Sequence, residues 1–107
     1  MITPTQNSKP KPNRLPRSLL KALKSFGIEF YHDPNYKSIW IPTDKISIDI
    51  TGFSNIIAKQ GDIEIYIFKY PDHISIWIKD IYEEKRIVLP LNITIGYHED
   101  SILIEIF

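Results

Sequence analysis

From Gly27 to the end of the chain, apolar and polar residues alternate, whereas before Gly27 the apolar residues recur every three or four positions. A period near 3.6 marks a helix with one apolar face, and a period of 2 marks a half-buried strand. Pro16 suits the first helical position, where its missing N–H costs nothing, and Gly27 suits the residue just past a helix end. The sequence therefore predicts one helix over about 16–26, with Leu15, Leu19, Ala22, Leu23 and Phe26 on one side and Arg14, Arg17, Lys21 and Lys24 on the other.

Beyond Gly27, Ile28-Glu-Phe-Tyr-His and Lys37-Ser-Ile-Trp-Ile flank Asp33-Pro-Asn-Tyr, which places proline where a type I turn wants it and predicts a hairpin. Ile46, Ile48 and Ile50 share one face of the next strand, which ends at Thr51-Gly-Phe-Ser-Asn. Ile63, Ile65 and Ile67 then alternate over about 62–70, and Ile74, Ile76 and Ile78 over about 73–80, across a turn at Pro71-Asp-His. A further turn is expected at Glu83-Glu-Lys, a strand with Ile87 and Leu89 before Pro90, and a last strand with Ile102, Ile104 and Ile106. Short strands in succession with no helix between them predict an antiparallel sandwich or barrel.

Composition sharpens this picture. The 107 residues suffice for one domain with a single core. They include 22 isoleucines against one valine and seven leucines, a β-branched excess that favours strands. Residues 1–15 hold Pro4, Pro10 and Pro12 among polar residues and predict a flexible arm, leaving 16–27 as the helical segment and 28–107 as the β domain. The net charge is zero because two regions cancel: six bases, Lys9, Lys11, Arg14, Arg17, Lys21 and Lys24, precede the first acid, Glu29, while residues 29–107 carry seven bases and thirteen acids. No apolar run reaches the length of a membrane span, about 18 residues. The opening residues lack the pattern of a secretory signal, which makes the cytoplasm the expected location.

The β region resembles the α-crystallin domain of small heat-shock proteins. The resemblance begins at Ile48-Asp-Ile-Thr-Gly-Phe-Ser, continues at Arg86-Ile-Val-Leu-Pro, and is carried furthest by Tyr97-His-Glu-Asp-Ser-Ile-Leu-Ile-Glu-Ile, where Asp100 takes the position of a turn glycine. It covers roughly 37–107. It implies an all-β, immunoglobulin-like antiparallel sandwich of the α-crystallin type. The stretch Asp80–Lys85 is too short for the loop that bacterial-type members exchange between subunits, and the chain stops at Phe107 without an Ile-x-Ile tail. With a segment after Leu89-Pro90 that is shorter than usual, these departures argue against large assemblies and leave a homodimer open, and the short connection brings the chain closer to compact CS-type co-chaperone domains. By the same resemblance the expected function is that of a chaperone or interaction module that works without ATP on unfolded or partner proteins. Its edge groove would be lined by Ile63, Ile65, Ile67, Ile93 and Ile95, and its segment for clients or partners would be the helix stripe Leu15, Leu19, Leu23 and Phe26.

Catalytic chemistry finds little support in the sequence. His32, His73 and His98 each adjoin an acid but fall far apart in predicted turns, without the spacing of a metal motif. Glu83-Glu84 and Glu99-Asp100 lie at hairpin tips, where paired acids are solvated. With no cysteine and four scattered glycines, neither a thiolate nucleophile nor a phosphate-cradling loop is expected. No catalytic residue, metal or cofactor is assigned. The aromatic residues Trp40, Tyr66, Phe68, Tyr70, Trp77 and Tyr82 fit second-layer packing better than base stacking, because the strand region is net negative. A nucleic-acid-binding protein using its six N-terminal bases is the alternative.

Overall fold

The computed structural model describes residues 14–49 and 55–106. Helix α1 (Arg17–Ser25) is followed by nine strands: β1 (Tyr31–His32), β2 (Ser38–Pro42), β3 (Lys45–Asp49), β4 (Asn55–Gln60), β5 (Ile63–Lys69), β6 (Ile74–Lys79), β7 (Glu84–Leu89), β8 (Ile93–His98) and β9 (Ser101–Ile106). They form two antiparallel sheets, one ordered β1-β2-β9-β8 and the other β3-β4-β5-β6-β7, stacked as a sandwich. The fold is all-β with one short helix, as the alternation predicts. The helix and strand boundaries differ from expectation in five instructive places.

The helix starts one residue late. Pro16 sits at the N-cap with φ −59° and ψ 142°, and its carbonyl accepts from the Leu19 and Leu20 N–H groups. The other end follows expectation: Gly27 adopts φ +69°, its N–H reaches the Lys24 carbonyl, and the Ile28 N–H reaches the Leu23 carbonyl. These are the two bonds of a Schellman motif, closed by the buried pair Ile28 and Leu23.

Strand β4 was not expected. Its Ile56-Ile57-Ala58 run breaks the alternation, because Ile57 faces outward while Ile56 and Ala58 are buried. The turn before β7 lies at Asp80–Glu83 rather than at Glu83-Glu-Lys, since the Asp80 carboxylate accepts the Tyr82 and Glu83 N–H groups at 2.8 and 2.9 Å. Glu84 and Lys85 are thereby released into the strand. In the β8–β9 turn the left-handed residue is Glu99, with φ +52°, and not Asp100. The Asp100 carbonyl instead accepts both the N–H and the hydroxyl of buried Thr43, fastening the β2–β3 link to that turn.

The fifth difference concerns the N-terminal segment. Leu15, Leu19, Ala22 and Leu23 are at most 1% exposed and belong to the same apolar core as Ile39, Ile65, Ile76, Ile78 and Ile104. Leu15 is therefore no part of a mobile arm, and α1 packs along β7 as a lid on the sandwich. Across the sheets, Gln60 ties the two layers together: its side-chain amide donates to the Glu29 and Pro42 carbonyls at 2.9 and 2.8 Å and accepts the Glu29 N–H. Residues 1–13, with Lys9 and Lys11, and residues 50–54, with the Gly-Phe pair of the resemblance, lie outside the described residues.

Candidate functional site

Strand β8 is an edge of the four-stranded sheet and crosses near the ends of β4, β5 and β6 in the opposite layer. The register aligns Ile56 with Ile67 and Lys69 with Ile74, so these side chains form one wall. Ile93 and Ile95 form the other, with Thr94 at the rim. Between the walls lies a cavity of about 150 Å³. Its lining is aliphatic apart from Thr94 and Lys69, and Ile93 and Ile67 are each only 2% exposed. Beta-branched residues on both inner faces cannot extend to fill the gap, which leaves the edge of the sandwich slightly open.

The expected groove is thus brought together in part. Ile67, Ile93 and Ile95 line the cavity. Ile65 does not, because it is 1% exposed in the middle of β5, between Ala58 and Ile78 in the register. Ile63 is at the far end of the same strand, beside Gly61, Asp62, Ile81 and Tyr82 in a shallower groove. Thr94, between Ile93 and Ile95 on β8, was missed, as were Ile56, Ile74 and Lys69, which complete the site. Their signal lies in the pairing of three strands, one of which the sequence pattern conceals.

The helix stripe serves the core rather than a client surface. Leu15, Leu19 and Leu23 are covered, and Phe26 is half-buried against the same cluster. The physical reason is the sheet face that would otherwise lie open beneath them. Of the basic residues, Arg14, Arg17, Lys21 and Lys24 are exposed on the opposite side.

The aromatic residues on the outer face of the five-stranded sheet are engaged with each other and with the chain's own cations. Tyr66 and Trp77 are directly opposed across β5 and β6, with ring centroids 5.2 Å apart. Lys79 Nζ lies 4.7 Å and Arg86 Cζ 4.8 Å from the Trp77 ring centroid, geometry suited to cation–π attraction. The Tyr66 hydroxyl donates to Glu64 at 2.8 Å, and Lys79 approaches Glu64 at 3.5 Å. The hydroxyl, and then the lysine, hold the Glu64 carboxyl below its usual range, while the same bond raises the Tyr66 phenol.

The histidines are dispersed. His32 stacks on Tyr36, His73 bonds Asp72 at 2.7 Å, and His98 lies at the end of β8. Among the described residues no group of three or more His, Asp or Glu side chains is placed to hold a metal ion. No helix among them is long and apolar enough to cross a membrane. Comparisons of the chain with protein-family models, with curated proteins and with solved structures find no match.

Proposed function

We propose that the protein binds extended apolar segments of other polypeptides, as an ATP-independent holdase-type chaperone or an interaction module. The observation that carries this reading is the aliphatic cavity beside β8. At about 150 Å³ it is well below the roughly 300–1,000 Å³ of sites for drug-sized molecules, and it suits one or two aliphatic side chains. An edge strand supplies what a segment needs in addition, since it can pair with an extended backbone while the cavity takes alternate side chains. The resemblance to α-crystallin domains, with their edge groove for Ile-x-Ile, supports the same reading.

The test is fluorescence anisotropy of a labelled peptide holding two isoleucines one residue apart. Binding is expected to weaken with Thr94→Arg at the rim and with Ile95→Ala in the wall, and to change little with salt, because the contacts are apolar. Suppression of aggregation of a heat-unfolding model protein should follow the same order of variants. A Kd weaker than about 1 mM for the unsubstituted protein would remove the reading.

A second reading has one observation in its favour. With the apolar stripe of α1 consumed by the core, the exposed side of the helix carries Arg17, Lys21 and Lys24, a surface able to neutralise phosphates. Affinity for single-stranded DNA falling steeply with salt, and lost in a triple alanine variant of those three residues, would favour it.

A further inference from the structure

A sandwich of two open sheets has four strand edges, and unpaired edges invite further strands unless they are short, charged or covered. Three edges here are managed in those ways. β1 has two residues, β3 has five and opens on the exposed Lys45, and β7 carries Glu84, Lys85 and Arg86 and lies against α1. β8 is different: Ile93-Thr-Ile-Gly-Tyr-His runs six residues without a carboxylate, lysine, arginine or proline. The two-residue connection through Glu99 and Asp100 makes His98 and Ser101 the pair nearest the turn. Thr94, Gly96 and His98 therefore direct their backbone groups toward β9, and Ile95 and Tyr97 direct theirs outward.

We propose that the occupant of this edge is a second copy of the chain, with β8 paired antiparallel to β8 about a two-fold axis at Gly96. Ile95 of each copy then exchanges two hydrogen bonds with the other copy's Tyr97, and the two Gly96 residues face each other in the closely spaced, non-hydrogen-bonded position. Paired residues share a face, so each sheet continues across the axis without turning an isoleucine into solvent. Charge supports this occupant and this register. Glu99, 80% exposed and approached by His98 at 3.9 Å, comes opposite the other copy's Ile93. Beside Ile93 lies Lys69, which shares the lining of the cavity and makes no ion pair among the described residues. Each dimer forms this Lys69–Glu99 approach twice. Alternation also puts the other copy's Tyr97 ring on the cavity side of the sheet, beside Ile95, so the second copy closes the cavity mouth. This inference deepens the proposed function, because the dimer and an incoming segment compete for one edge, but the dimer itself does not depend on that function.

Sedimentation velocity on the full chain over a range of concentrations tests it. The expected result is a reversible dimer whose Kd rises about tenfold in Lys69→Glu and in Glu99→Lys, with most of the loss recovered in the double reversal. Tyr97→Pro removes an outward N–H and should leave a folded monomer; should it unfold, the charge pair still decides. A chain that is monomeric throughout its soluble range overturns the inference, as does a dimer indifferent to both the charge exchange and the proline. If the peptide binds a strict monomer, the inference falls and the proposed function stands. If the dimer behaves as expected and no peptide binds, the inference stands alone.

Discussion

The backbone N–H of Leu15 donates to the carbonyl of Tyr36 at 2.7 Å, across the turn that joins β1 to β2. Tyr36 is held for this by its own left-handed conformation, φ +55°, and by its N–H bond to the Asp33 carbonyl. The chain entering α1 is thereby fixed to the first hairpin. The helix cannot be treated as an appendage, since its buried leucines complete the core on the side of β7.

Leu19→Ala and Leu23→Ala are each expected to lower the unfolding free energy by about 2–5 kcal/mol, the range for emptying a buried leucine site. Urea titration followed by circular dichroism measures this. A chain beginning at Gly27 should lose its cooperative transition, because Leu15, Leu19 and Leu23 would leave together. Effects within about 0.5 kcal/mol for both leucines would show that the helix lies outside the core.

Ile65 and Ile95 separate stability from binding. Ile65→Ala should cost about 2–5 kcal/mol and leave the affinity of the folded protein for the isoleucine peptide unchanged, since the side chain is enclosed between Ala58 and Ile78. Ile95→Ala, at a half-buried position, should cost less stability and weaken the peptide several-fold. Paired urea and anisotropy titrations distinguish the two. Equal loss of affinity in both variants would mean that the cavity is not where the peptide sits.

The difference between these two isoleucines also shows where sequence reasoning stops. Alternation placed the inner faces of β2, β5, β6 and β9 correctly, because burial of one face imposes a period of 2 whatever the tertiary partner. It missed β4, where outward Ile57 between Ile56 and Ala58 erases the period. With β4 went the knowledge that Ile56 stands beside Ile67, and so the far wall of the cavity. Alternation likewise assigns Ile63, Ile65 and Ile67 to one face, but only the stacking of the second sheet decides which of them meets β8. The helix stripe was legible as apolar. Its covering by the sandwich was not, because the same amphipathic pattern serves a docked helix and a free one.

Gly27 offers a local check on the helix end. At φ +69° with open space around its Cα, a side chain there meets no neighbour but suffers the left-handed backbone. Gly27→Ala should therefore destabilise the protein by about 1–2 kcal/mol, and Gly27→Asn by less, since asparagine tolerates that region better. Thermal unfolding of the two variants provides the comparison. Equal losses would indicate that something other than backbone conformation governs the site.

The Asp33 carboxylate gives the protein a predictable acid response. One oxygen accepts the Lys37 and Ser38 N–H groups, both at 2.7 Å, and the other accepts the Asn35 N–H at 3.1 Å. The Ser38 bond first, with the other two, holds the pKa below its ordinary value of 3.8. A depressed pKa means that the ionised form is favoured by folding, so the contribution is complete above the ordinary value and declines as pH falls through the lowered folded value. Asp33→Asn keeps the size of the side chain but removes the charge that these N–H groups address. The variant should be less stable than the parent at pH 7 and at pH 5, and the two urea midpoints should converge as the pH is taken below 3.8 toward the folded value. A gap that stays constant down to the acid limit of the folded state would show that the turn is held by shape alone and not by the charge on Asp33.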